Sequence, residues 1–512
     1  MTRTAPPSSL SAPYAELLAR LREAAALGSI RATLSWDQET MMPPAAASFR
    51  AEEMALLATL EHQRVTDPRI AELLGACEAD PALASDEDAR ANLREIRRDH
   101  ERATKLPTDL VAELTRTASQ AIEVWRDARA AGDFASFRPW LEKIVALNVR
   151  KAECYGAPPG GEIYDALLED YEPGVSAKRV EAVFDPLRAA LAPLLARVLE
   201  AGRRPDDAPQ RVRIPIPLQK ELNRLVAERI GFDFSAGRLD VSTHPFTEGL
   251  APGDTRITTR YSDDRFADAL GSTLHEAGHA LYEQGLPKDA LHGQPLGEAA
   301  GLGLHESQSR LWENHVGRSR AFWAWALPEA KRIAGGPLDP FDVDDVWETV
   351  NLVRPSLIRV ESDETTYNLH VMLRFDLERA LVRGDLKPAD VPGAWNERVR
   401  KDLGLEVPDD RSGCLQDIHW SAGAIGYFPT YTLGTLYAAQ MWEAIVAAIP
   451  DLEVRVSRGD FAPLLAWLRT NVHSHGRRYR AAELCERLTG AALSHEPMLR
   501  HLEAKLGRIY RF

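Results

Sequence analysis

Residues 262–287 read SDDRFADALGSTLHEAGHALYEQGLP. Ser262, Asp263 and Asp264 supply the cap and first-turn acidic signals of a helix, and Gly285 with Pro287 supplies its stop. Inside that frame His275-Glu276-Ala277-Gly278-His279 forms an H-E-x-x-H pattern. Helical residues four apart lie one above the other on one face. Both imidazoles can therefore bind one zinc ion, while Glu276 sits beside the open coordination position and can take a proton from bound water. Gly271 and Gly278 are seven apart and share the histidine face. Each should cost about 1 kcal/mol against alanine in a helix interior, so the pair points to something approaching the backbone closely. On these residues alone, two histidines on a buried apolar face are the plain alternative.

A catalytic ion needs a third protein ligand. The next dense polar stretch, His305-Glu306-Ser307-Gln308-Ser309-Arg310, offers Glu306 and His305. A His/His/Glu set leaves the fourth position for water, which separates catalytic from structural zinc. The competing role for Glu306 is an ion pair with Arg310 one turn later on a solvated face. A di-iron bundle would need a second Glu-x-x-His on another helix, and His279 alone among the histidines has a glutamate three positions before it. No Walker A loop, G-x-S-x-G elbow or paired C-x-x-C occurs, so phosphoryl transfer and serine hydrolysis lack a foothold.

Outward from this centre the chain reads as mainly helical. Ala, Leu, Arg and Glu dominate, and apolar residues recur at helical spacing in Tyr14 to Ala25 and Pro186 to Leu199. Pro43-Pro44, Pro158-Pro159, Pro205 to Pro209 and Pro337 to Pro340 punctuate the helices. Strand signals are confined to Val212–Pro217 and Asp254–Tyr261, the second following an Ala-Pro-Gly-Asp turn, and they predict one small sheet. Charged residues are 27% and hydrophobic residues 45% of the 512, the balance of an ordinary soluble fold. The net charge of -14 argues against nucleic acid and anionic membrane as partners. Met1 to Pro13 holds no apolar run of signal-peptide length, and even Leu433 to Ile449 is interrupted by Gly434 and Glu443, so no membrane span is expected. Cys77, Cys154, Cys414 and Cys485 match no metal spacing and read as reduced thiols of a cytoplasmic protein.

Several further motifs occur in order. They are Trp36-Asp37-Gln38-Glu39-Thr40 followed by Met42-Pro43-Pro44, His244-Pro245-Phe246, and Asp254-Thr255-Arg256-Ile257-Thr258. After His305-Glu306-Ser307-Gln308 come Ile358-Arg359-Val360-Glu361-Ser362-Asp363 and Gly426-Tyr427-Phe428-Pro429-Thr430-Tyr431. Together with the zinc helix they resemble the thermostable metallocarboxypeptidases of the carboxypeptidase Taq type over nearly the whole chain. One departure is Ser362, where that family usually has alanine. The resemblance implies one catalytic domain over residues 1–512. Its fold would be a large helical bundle with two lobes around a deep substrate groove and a small antiparallel sheet, similar to neurolysin and angiotensin-converting enzyme. It implies a zinc or cobalt ion on His275, His279 and Glu306, with Glu276 as general base and acid. It further implies homodimers that release single C-terminal residues from peptides with broad preference.

An exopeptidase must also recognise a terminal carboxylate, which favours an arginine fork. Arg359, beside Glu361 and Asp363 in its motif, is the first candidate and Arg256 on the expected strand the second; a structural salt bridge is the alternative for each. His244, Tyr427 and Tyr431 are candidate donors to the tetrahedral oxyanion, and the two tyrosines could equally be ordinary core. Strand Asp254–Tyr261 could receive an extended peptide by edge addition. Asp363 is a candidate acceptor for the outer N–H of a zinc histidine. His473 and His475, followed by Arg477 and Arg478, read as a polar surface turn without a role. Competing functions are an oligopeptidase or dipeptidase of the same metal chemistry, a peptide-binding protein that keeps the groove without catalysis, and a structural zinc site.

Overall fold

The computed structural model describes residues 11–512, the side chains at positions 44, 47, 48 and 51 excepted. Helices dominate. The first, α1 (Ala12–Thr40), contains the expected Tyr14–Ala25 segment, and Pro186 to Leu199 lies inside the helix Ala177–Glu200. Among the described residues no helix is long and apolar enough to cross a membrane. Two apolar cores follow from the amphipathic spacing. A small one joins Tyr14 and Leu17 to Ile70, Leu73, Leu74 and Ile96 near the N-terminus, while a much larger one runs from Ala121 to Tyr510.

The helix α2 (Ile216–Ile230) begins where a strand was expected. Val212 to Pro217 forms no strand because Pro215 and Pro217 lack the N–H a ladder needs, and Pro217 instead occupies the first helical turn. The strands are β1 (Gly237–Val241), β2 (Thr247–Ala251) and β3 (Asp254–Thr259), in the order β1-β3-β2. The tight turn at Gly253 (φ +74°) makes β2 and β3 antiparallel, whereas β1 lies on the other side of β3 and pairs parallel to it. The sheet is therefore mixed rather than antiparallel. β3 is central, with both edges paired, so a peptide cannot add to it.

Three helices stack beside this sheet: α3 (Phe266–Gly285), α4 (Leu302–Arg310) and, much later in the chain, α6 (Pro429–Ala448). The helix α5 (Tyr367–Arg383) precedes α6. Two glycines permit the stack. A Cβ on Gly278 of α3 would stand 2.6 Å from the Gln308 carbonyl oxygen and 2.7 Å from Ser309 Cα of α4. A Cβ on Gly434 of α6 would stand 2.6 Å from Glu306 Cβ on the opposite side. Helix α4 is thus gripped between two glycine notches. Gly271 differs from its expected partner role, since nothing lies within 4 Å of its would-be Cβ. The α3 N-terminus also departs from expectation: it starts at Phe266 without a side-chain cap, and Ser262 bonds Asp264 instead.

Candidate metal centre

His275 and His279 face Glu306 across the α3–α4 contact. Their Nε2 atoms lie 3.7 and 3.3 Å from Glu306 Oε2, and the three donor atoms all fall within 4.8 Å of one another. Bonds of about 2.0–2.2 Å around a tetrahedral ion require donors roughly 3.3–3.6 Å apart. The two imidazole–carboxylate separations match that spacing closely, so the donor set suits a first-row divalent ion. The local helix supplies the two imidazoles; only the glycine notches bring the carboxylate to them.

Burial alone would raise the Glu306 carboxyl, yet Arg310 and the two imidazoles hold it well below the usual range. It is ionised, as a metal ligand must be. Burial, reinforced by the neighbouring His305, depresses His279 to about 4 and keeps it neutral. His275 is desolvated as well, but Glu306 and Glu313 outweigh that and raise it.

The outer nitrogens are each held. His275 Nδ1 lies 2.9 Å from Glu313 Oε2, the carboxylate–imidazole arrangement that fixes a ligand's tautomer. His279 Nδ1 lies 2.6 Å from His305 Nδ1, and His305 Nε2 lies 2.7 Å from Glu283 Oε1. His305 is thereby an outer partner, not a member of the inner set. Arg310 bonds both Glu306 (2.6 Å) and Glu313 (3.0 Å), so its ion pair with Glu306 coexists with the convergence on the imidazoles. Glu313 belongs to a π-helical stretch, Leu311–Gly317, that continues α4, a widened geometry common at functional sites.

Asp363 does not reach this shell. It accepts from the backbone N–H groups of Arg354, Thr365 and Thr366 and caps the turn before α5, the ordinary use of a short acidic side chain there. His473 is not at a surface turn either. It is fully buried, with Nε2 3.1 Å from Gln308 Oε1 and its ring against Gly285. The backbone kink at Gly476 (φ +51°) turns Arg477 outward from it to Asp99 and Glu298.

Glu276 is buried beside the triad, and burial raises its pKa above the ordinary glutamate value. Tyr427 and Tyr431 have rings 5.3 Å apart. Burial, followed by the charge of Glu306, pushes Tyr427 up to about 12, and burial raises Tyr431 further. Both remain protonated donors at neutral pH. Arg359 lies in the same group, its guanidinium 4.8 Å from the Tyr431 ring centre. Its Nε and Nη2 bond Asp417 at 3.1 and 2.9 Å, and Nη1 bonds the Tyr367 hydroxyl at 2.8 Å. Asp417 is shared with the buried Arg374, so two guanidiniums meet one carboxylate. His419, held at about 3 by burial and by Arg359, adds no charge. The cluster carries one net positive charge.

His244 stands on the exposed turn between β1 and β2; partial desolvation, then Arg260, lowers its pKa, and Arg359 contributes too. Arg256 sits apart from the tyrosines. It bonds Asp254 at 2.9 and 2.8 Å and lies over the Trp36 ring, which Arg238 also covers.

The sequence reading missed Glu313, Glu283, Thr247, Tyr367, Asp417 and His419. Two had a signal: Glu283 follows His279 by four and Glu313 follows Glu306 by seven, both helical spacings. Thr247 directly follows the His244-Pro245-Phe246 motif and Tyr367 lies four residues past Asp363 of another; Asp417 and His419 come from a distant segment and had no signal.

Known proteins match this arrangement along its length. Residues 16–506 fit the family described as carboxypeptidase Taq (M32) metallopeptidase. The chain is 46% identical over 507 residues to thermostable carboxypeptidase 1 of Thermus thermophilus, covering 98% of this chain and 99% of that one. It is 38% identical to thermostable carboxypeptidase 1 of Pyrococcus furiosus, over 96% and 97% of the two chains. The crystal structure of the M32 carboxypeptidase from Deinococcus radiodurans R1 superposes with a TM-score of 0.93 at 41% identity, over 98% of this chain and 100% of that one. A helical fold, a His/His/Glu triad and full-length similarity agree: the chain belongs to the carboxypeptidase Taq (M32) metallopeptidase family and is a metallocarboxypeptidase.

Proposed function

We propose that residues 11–512 form one catalytic domain, two lobes around a groove, whose His275, His279 and Glu306 hold zinc, with cobalt able to replace it; the first ten residues of the expected 1–512 domain lie outside the described residues. The convergence of those three side chains beside the buried Glu276 carries this reading. A divalent ion held there supplies Lewis-acid polarisation of the scissile carbonyl and a nucleophilic water at neutral pH. Glu276 receives the proton that water gives up and passes it to the departing amine nitrogen. Tyr427 and Tyr431, with His244 from the exposed turn, donate hydrogen bonds to the oxygen on which negative charge develops; one such donor is typically worth about 2.7–4 kcal/mol. Arg359 binds the terminal carboxylate of the peptide, a role supported by the net positive charge of the Arg359–Asp417–Arg374 cluster. Arg256, engaged with Asp254 and Trp36, is the second candidate for holding substrate. Family likeness extends the proposal to broad side-chain preference and to a cytoplasmic homodimer.

The test uses peptides of graded length, with and without chelator, and identifies the products by mass. Stepwise loss of C-terminal residues only in the presence of metal is the expected result. Glu276→Gln should retain bound metal and lose nearly all activity, whereas full activity in that variant would end the assignment of Glu276.

A further inference from the structure

We infer that Thr247 is the residue that positions Glu276 for proton transfer. The inference rests on the reading of Glu276 as the proton carrier and adds what holds it. Among the described residues, the hydrogen bond to the Glu276 carboxylate comes from Thr247, whose Oγ1 donates to Oε2 at 2.7 Å. The same hydroxyl lies 2.9 Å from the Glu276 backbone carbonyl, so its proton has a second acceptor at the stage when Glu276 carries one of its own. A carboxylate held at one oxygen presents the other in a fixed direction. Without that bond, the side chain can rotate about its terminal torsion, which is soft.

Thr247 is itself fixed from behind. It opens β2 directly after the His244-Pro245-Phe246 turn and pairs in register with Ile257 of β3. Its β-branched side chain has restricted freedom about χ1. The turn is stitched to β3 by buried hydroxyls. Ser242 Oγ meets Thr258 Oγ1 at 2.6 Å and donates to the His244 carbonyl at 2.6 Å, while the Phe246 N–H donates to Thr258 Oγ1 at 3.0 Å. Thr258 is fully buried and Ser242 nearly so. One short turn therefore delivers both His244 and the hydroxyl that aims the base, and the small sheet is the rigid element that carries them.

The bond to the backbone carbonyl would also suit a mere buttress between strand and helix, so the test must separate the two. Thr247→Val keeps the shape and removes the hydroxyl; Thr247→Ser keeps the hydroxyl. For positioning, Val should lower kcat about 10- to 100-fold, the cost of a misplaced catalytic group, with KM, metal affinity by chelator competition and thermal midpoint near wild type. Ser should recover kcat to within about threefold. Binding of a phosphinic pseudo-peptide, whose tetrahedral oxygens meet the same carboxylate, should weaken in parallel with kcat/KM. Added to Glu276→Gln, the valine change should cost less than about twofold more, because both act through one group. Wild-type kcat in Thr247→Val, equal loss in the serine variant, or loss of metal in step with activity would each overturn the inference. Should Glu276→Gln keep full activity, the reading of Glu276 would fall first, independently of what Thr247 does.

Discussion

Replacing Gly278 by alanine asks whether the metal centre is assembled by the close approach of two backbones. The added Cβ would stand 2.6 Å from the Gln308 carbonyl oxygen, and ordinary contact begins at 3.4 Å. The neighbours are backbone atoms of a helix and cannot rotate away, so α3 and α4 must part by about 0.8 Å, far outside the ±0.2 Å or so that metal–ligand bonds tolerate. The His279–Glu306 gap of 3.3 Å would open to about 4 Å, and metal affinity should fall at least about 10- to 100-fold, the scale seen for lesser disturbances of a ligand shell. Overpacking costs about 1–3 kcal/mol, offset by about 1 kcal/mol of helix propensity, leaving the metal-free protein up to about 2 kcal/mol weaker. A 100-fold loss of affinity removes up to about 2.7 kcal/mol more of the stabilisation conferred by metal in excess. Gly271→Ala is the control: with open space at its Cβ it should stabilise by about 0.5–1 kcal/mol. Chelator-competition titration and thermal unfolding, each with and without metal, read both variants. Wild-type metal affinity in Gly278→Ala would refute the reasoning, as would the same stability change in both glycine variants.

Arg359→Ala should lower kcat/KM for peptides with a free C-terminus by about 30- to 150-fold, corresponding to about 2–3 kcal/mol for hydrogen bonds to a charged group, while bound metal stays constant and Arg374 still neutralises Asp417. An unchanged preference for free over amidated peptides in that variant would dismiss the assignment. Glu172, buried at the N-terminus of α4 with Gly303 N–H donating to it at 2.7 Å, is raised by burial from 4.5 to about 8. Its folded pKa exceeds its unfolded one, so the folded state holds the proton more tightly. The resulting stability is fully present below about pH 4.5 and is lost as pH rises through about 8. Glu172→Gln should flatten the decline in stability between those limits by up to about 4–5 kcal/mol, and parallel stability–pH curves for the two proteins would contradict the assigned pKa.

Most of the site's inner part was readable because it is local. A helix puts His275, Glu276 and His279 on one side by its own period, and one acidic residue in the next polar stretch completes the set. The choice between Glu306 and His305 was not local. Neighbours in sequence differ by about 100° around a helix, and only the seating of α4 against Gly278 and Gly434 turns Glu306 inward and leaves His305 to hold the outer nitrogen of His279. Val212–Pro217 shows the opposite failure: a strand was expected there, and prolines without an N–H made it a turn and a helix start.

From sequence alone came the predominance of helix, the paired imidazoles with their neighbouring acid, and a close approach at Gly278. These follow from the short-range geometry of one helix. The central place of β3, the hydroxyl of Thr247 on Glu276, the Glu313 bond to His275 and the sharing of Asp417 by Arg359 and Arg374 were decided by tertiary structure. The last three join segments 29 to 58 residues apart, the strand order depends on which side of β3 the chain lays β1, and side-chain spacing along the chain carries no information about which such segments meet.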